Sequence, residues 1–180
     1  MKKFNGIFFE IVSVLVPAIA VIAILFTFCF RMVGVHGDSM VDTLHDGDWL
    51  LVVPYYTEPA YGDIIISTQA NSANENIVKR VIAVEGDTVE RMADGTMVVN
   101  GEALDESGYI NSTVAGNLRG DVEFPLTVPE DCVFVCGDNR PISLDGRYTG
   151  IGFITQEYLL GKAVCRVGKD WRIYDNFLAE

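Results

Sequence analysis

The sequence predicts a mainly β protein behind a single N-terminal transmembrane helix. Three observations point there. Residues 11–30, IVSVLVPAIAVIAILFTFCF, run for 20 residues without a charge. The remainder is a series of short β-prone runs separated by Gly and Asp turns. Only two places, Ser39–Leu44 and the region near Gln156–Leu160, offer a helical turn. With 180 residues the chain is sized for one compact domain and a small appendage.

The apolar stretch has the length a helix needs to cross a bilayer at about 1.5 Å per residue. A cleavable leader has a shorter apolar core, about 7–15 residues, and a small-x-small cleavage site. Here the stretch ends in Phe28, Cys29, Phe30 and Arg31, which offer no such site, so the permanent anchor is the preferred reading. Pro17 is tolerated because membrane helices re-satisfy a freed carbonyl. Lys2 and Lys3 precede the span and Arg31 follows it. The excess of basic residues before the span puts the N-terminus in the cytoplasm and residues 32–180 outside.

In order, the predicted strands are Trp49–Val53, Asp63–Ser67, Asn76–Val84, Thr88–Met92, Thr96–Asn100, Asp131–Cys136 and Lys162–Val167. Asp94-Gly95, between two β-prone runs, signals a hairpin. Gln69–Asn76 and Asn111–Gly120 are polar and are expected as exposed loops. The spacing suggests antiparallel sheets, packed or coiled.

Charge excludes one class of partner. The chain has 13 basic and 25 acidic residues. Without residues 1–31 it keeps 10 of the basic and 24 of the acidic ones. A body that acidic repels phosphate backbones and anionic headgroups, so no nucleic-acid partner is expected. Four cysteines, Cys29, Cys132, Cys136 and Cys165, lack the tight pairs and histidine partners of a zinc site. They are expected as small buried hydrophobes. A disulfide through Cys165 stays open in an oxidising space.

Three segments carry candidate chemistry. Val35-His36-Gly37-Asp38-Ser39-Met40 puts a serine in a Gly/Asp turn nine residues past Phe30. That is within roughly 30 Å of the bilayer at full extension. Alone, such a serine is usually a turn former. In Ile77–Val84, alternation places Lys79 with Ile77, Val81 and Ala83, and turns Arg80 the other way. Aliphatic surroundings would lower the lysine pKa and let the neutral amine accept a serine proton. The rival reading is an edge-strand lysine that blocks aggregation. The third segment, Gly137–Arg147, is dense in turn and hydrogen-bonding residues, as a polar network or a solvated loop would be. Its acids do not fit an EF-hand.

Together these segments closely resemble bacterial type I signal peptidases. Gly37-Asp38-Ser39-Met40 with Thr43-Leu44 is similar to the family's nucleophile box, and Lys79-Arg80-Val81-Ile82 with Gly86-Asp87 to its lysine box. Gly47-Asp48, Gly62–Ile65, Val99–Gly101, Tyr109-Ile110 and Gly137–Arg147 also match, in order. The resemblance implies a β catalytic domain with a small β insert, roughly residues 88–127. It implies Ser39 as nucleophile and Lys79 as general base, with Ser143 orienting the lysine. Asp145 and Arg147 would form a supporting ion pair, and Asp138 would support the last box. Gly37 stands where other members carry a hydroxyl donor to the oxyanion, as in the Gram-positive variety. The oxyanion would then rely on the Ser39 N–H. The implied substrates are exported preproteins with small residues before the cut. The implied lipid contact is through the N-terminal helix, and no cofactor or metal is required.

The sequence departs from the family pattern at Asp42, at Ala83 and Glu85, and at Gly146, which stands in place of a serine. Rival readings are a histidine base, His36 or His45, and a self-cleaving Ser/Lys repressor. A processing peptidase narrowed to substrates such as pilus subunits is another. The last is a catalytically idle membrane adaptor.

Overall fold

A computed structural model describes residues 2–41, 43–54, 58–68, 76–110, 118–167 and 172–173. Asp42, residues 69–75 of the first predicted loop and residues 111–117 of the second lie outside them. Helix α1 runs Lys2–Cys29 with Pro17 inside it. Its stretch Phe8–Cys29 has a mean hydropathy of 2.8, enough in length and composition to cross a bilayer. From Phe8 onward its described side chains are almost all exposed rather than packed on the β body. Apolar side chains left outside a folded core need another apolar environment.

Strand β1 (Arg31–Gly34) follows after a single residue, Phe30. The larger sheet then uses β2 (Trp49–Val53), β3 (Ile64–Ser67), β4 (Ile77–Val84), β9 (Cys132–Cys136), β10 (Ile154–Thr155), β11 (Leu159–Val167) and β12 (Arg172–Ile173). Their order is β1-β2-β11-β3-β4-β9-β10, antiparallel throughout, with β12 also on β11. The long strand β11 pairs β3 through Leu159–Lys162 and β2 through Lys162–Val167, with register shifts in both ladders. Shifts of this kind bend a strand and raise its twist, so the sheet curls.

The smaller sheet holds β5 (Thr88–Arg91), β6 (Met97–Val99), β7 (Glu102–Ala103) and β8 (Leu126–Thr127), in the order β7-β6-β5-β8. The Asp94-Gly95 hairpin closes β5 on β6. Among the described residues the core has three apolar parts. Met40, Leu44, Leu50, Ile64 and Ile66 fill one, and Val81, Val133, Val135 and Ile154 with Ile65 another. Ile82, Ala83, Val89, Met97 and Phe134 join the two sheets.

The expected strands are present, trimmed or extended by up to three residues at an end. The sequence reading missed β1, β7, β8, β10 and β12. The last four span two residues each, too short to show alternation, and β1 runs on from the apolar helix without a turn signal between them. The turn at Ser39–Leu44 closes through Leu44 N–H donating to Met40 O at 2.8 Å, and the later one is a 3₁₀ turn, Gln156–Tyr158. One detail is corrected. A bulge in β4 lies between Val81 and Ala83, so Ala83 does not share the Lys79 face and packs instead beside Ile82.

Candidate active site

Ser39 and Lys79 lie 40 residues apart in sequence and meet at one end of a cleft. Ser39 sits in the turn that drops Met40 and Leu44 into the core. Lys79 sits on β4, opposite Ile65 of β3. Its Nζ is 2.8 Å from Ser39 Oγ and donates to Val78 O at 3.1 Å. The lysine is only 5% exposed. Burial pushes its pKa below the ordinary 10.5, against the opposing pull of the Asp145 carboxylate. The cleft has a volume of about 630 Å³ and runs between β1 and the start of β4. Met32, Val33, Val35, Ile77 and Val78 make its walls apolar.

The loop after β9 closes the site from the other side. Asn139 N–H donates to Ser39 O at 3.0 Å, and its Nδ2 to Asp38 O at 3.0 Å. A Cβ on Gly137 would fall 2.4 Å from Ser39 O and 2.2 Å from Ser143 Oγ. Only glycine permits so close a packing. Ser143 is buried, and the hydrogen bond to Lys79 that the family resemblance implies is not formed among the described residues. Its hydroxyl helps hold the Asp145 carboxylate ionised without closing a well-formed bond among the described residues.

Asp145 and Arg147 form a fully buried, two-pronged pair, Nε to Oδ1 and Nη2 to Oδ2, each at 2.8 Å. Gly137 N–H donates to Asp145 Oδ2 at 2.9 Å. Although burial raises it, these donors hold the Asp145 carboxyl below its ordinary pKa. Asp138 accepts from Arg80 Nε at 2.8 Å, from Arg80 Nη2 at 2.7 Å and from Thr43 Oγ1 at 2.5 Å. Arg80 is also stacked on the Tyr109 ring, its Cζ 4.0 Å from the centroid.

Sequence reasoning turned Arg80 away from Lys79 but found it no partner. Glu106, paired with the buried Arg140, was missed altogether. An acid in a turn gives no local signal of a cation 34 residues away.

Gly37 is exposed with φ +81°, and its N–H donates to Asp46 Oδ1. His36 is exposed in the cleft mouth beside Asp46, and His45 is exposed as well. Among the described residues the cysteines are free thiols, so the disulfide left open for Cys165 is not formed. Cys136 and Cys165 are buried, Cys132 is half-buried and Cys29 is exposed, so Cys29 departs from the buried expectation. Of the departures from the family pattern, Glu85 accepts the Asp131 N–H. Gly146 passes so near Val135 O that a Cβ would stand 2.8 Å from it.

A family profile described as "Signal peptidase, peptidase S26" matches residues 8–168. The chain belongs to the signal peptidase family, peptidase S26. It is similar to signal peptidase I of Bacillus licheniformis, 38% identical over 169 residues, covering 89% of this chain and 88% of that protein. Signal peptidase I T of Bacillus subtilis (strain 168) is 34% identical over 169 residues, covering 89% and 85%. A crystal structure of a signal peptidase I from Enterococcus faecalis aligns with a TM-score of 0.47 at 37% identity, over 58% of this chain and 96% of that one. Membership makes the chain a hydrolase of the signal peptidase I kind, a membrane enzyme that acts on the signal peptides of preproteins.

Proposed function

We propose that the chain cuts signal peptides from exported preproteins through an acyl-enzyme, with Ser39 as nucleophile and Lys79 as general base. The observation that carries this reading is the 2.8 Å approach of a buried, pKa-lowered amine to a serine hydroxyl in an apolar cleft. A neutral lysine has one lone pair and two N–H groups. One N–H is taken by Val78 O, which leaves the lone pair for the Ser39 proton.

Lys79 Nζ takes that proton as Oγ bonds to the scissile carbonyl carbon. The resulting oxyanion is met by the Ser39 backbone N–H, since Gly37 has no hydroxyl to offer. Lys79 then passes its proton to the leaving amine as the C–N bond breaks. Water, deprotonated by Lys79, then bonds to the acyl carbon, the Oγ–C bond breaks, and Lys79 returns the proton to Ser39 Oγ as the acid product leaves. The family resemblance assigns Ser143 to orient the lysine, and Asp145 and Arg147 brace its loop. Asp138 ties that loop to β4 through Arg80.

The cleft suits an extended peptide. Among the described residues, the first of β4, Ile77–Lys79, pair β3 on one side, while β9 pairs β4 only from Arg80 onward. Strand β1, again among the described residues, pairs β2 on one edge alone. Two backbone edges thus face the cleft and can receive a strand. In this reading residues 1–31 anchor the enzyme with the N-terminus in the cytoplasm. Residues 32–180 work outside, with residues 88–127 as a small β insert.

The test is cleavage of a membrane-inserted preprotein in detergent by the wild type, Ser39→Ala and Lys79→Ala, from about pH 6 to 10. Both variants should lose cleavage. Wild-type activity should rise with pH as Lys79 loses its proton, with a midpoint below 10.5. Cleavage retained by Lys79→Ala would move the base elsewhere.

A further inference from the structure

The turn that follows β7 is tied to both arginines beside the site. Glu106 O accepts the N–H groups of Tyr109 and Ile110, so Glu106 and Tyr109 stand on one turn. The Glu106 carboxylate takes both Nη groups of Arg140, with Nη1 to Oε2 at 3.0 Å. Arg140 is fully buried. Its Nε donates to Gly137 O at 3.0 Å, and its own carbonyl accepts from Arg147 Nη2 at 2.9 Å. Gly137 is the residue packed against Ser39 O and Ser143 Oγ. Glu106 therefore fixes the backbone beneath the serine through one buried cation.

Tyr109 reaches the lysine's strand. Its hydroxyl donates to Glu106 Oε1 at 2.9 Å and meets the Tyr61 hydroxyl at 3.2 Å. Its ring carries the guanidinium of Arg80, the residue after Lys79 on β4. Arg80 in turn holds Asp138, next to the Asn139 that binds Ser39 O. The two routes start on one turn. They end on the two backbone segments that set the separation of Ser39 and Lys79.

We propose that Glu106 and Tyr109 are positioning residues for the Ser39–Lys79 pair, so that this turn clamps the lysine strand against the loop beneath the serine. This rests on the Ser39–Lys79 reading. Neither residue needs to touch substrate. Their removal should therefore lower kcat and leave KM nearly alone, because a shift of about 1 Å between reacting groups can cost 10²-fold in rate. Bound water could satisfy Arg140 after Glu106→Gln, but it would not restore the two-pronged geometry.

The test measures kcat and KM per folded molecule for the full chain in detergent with a preprotein substrate. The variants are Glu106→Gln, Tyr109→Leu and Tyr109→Phe, beside Ser39→Ala and Lys79→Ala. Glu106→Gln and Tyr109→Leu should each lose about 10- to 100-fold in kcat, with KM within about twofold. Tyr109→Phe keeps the ring under Arg80 and should retain most of the rate. The proposal is overturned if folded Glu106→Gln or Tyr109→Leu turns over like the wild type. It is equally overturned if their losses vanish per folded molecule or fall on KM. Should Glu106→Gln not fold, the contrast between Tyr109→Leu and Tyr109→Phe decides, and equal rates overturn it. Activity surviving in Lys79→Ala would instead bring down the Ser39–Lys79 reading, whatever the Glu106 and Tyr109 variants do.

Discussion

Replacing Asp145 by asparagine changes one charge and almost no volume. The carboxylate is fully buried and accepts two bonds from the Arg147 guanidinium, one from the Arg147 N–H and one from the Gly137 N–H. An amide in its place would leave the Arg147 guanidinium without its counter-charge, and would turn one acceptor oxygen into a donor facing other donors. Breaking a buried pair from one side costs about 3–5 kcal/mol. Against a total of about 5–15 kcal/mol for a typical domain, that is a large share. For a chain of this size it is a fall in Tm of roughly 6–20 °C.

A urea titration of the full chain in detergent, with a thermal melt beside it, measures the loss. The same variant carries a second sign. The Asp145 carboxylate raises the Lys79 pKa against the larger effect of burial, while Arg147 lowers it. Removing the carboxylate deepens the depression, so the basic limb of the rate profile should move to lower pH. A stability loss below about 1 kcal/mol, the value of an exposed pair, would refute the ion-pair reasoning. A limb that moves to higher pH would refute the electrostatic part.

Gly137→Ala should unfold or inactivate the enzyme, because its Cβ would stand 2.2 Å from Ser143 Oγ and 2.4 Å from Ser39 O. A melt with preprotein cleavage reads this, and overpacking of this kind costs about 1–3 kcal/mol or more. Gly37→Ala meets open space but inherits φ +81°. It should cost about 1 kcal/mol in stability through backbone strain alone, measured by urea titration. Acid unfolding should show Asp145. Its folded pKa lies below the ordinary 3.8, so its stabilisation is complete above that value and fades as pH falls through the depressed one. Asp145→Asn should flatten that part of the stability profile.

Much of the fold could be read from the chain. The uncharged stretch 11–30 announced its helix, and Asp94-Gly95 its hairpin. β-prone runs bounded by Gly and Asp turns were visible, whereas β1 and the two-residue strands exist only through their partners. The bulge after Val81 broke an alternation rule that assumes an unbroken ladder. Spacing alone could not bring Ser39 to Lys79 across 40 residues; family resemblance suggested it. The ion pairs Arg80–Asp138 and Glu106–Arg140 span 58 and 34 residues. They follow from sheet order, which local sequence does not encode.

If α1 anchors the enzyme as proposed, the single residue between α1 and β1 turns it into a ruler. Met32, in the cleft wall, is three residues past Cys29, so the cleft begins at most about 11 Å of extended chain from the end of the apolar helix. With α1 in the bilayer there is no slack to reach further out. A preprotein then has to present its cut within a fixed few residues of its own apolar segment. On the proposed reading, an otherwise acceptable site placed deeper in the mature chain should go uncut because it is out of reach.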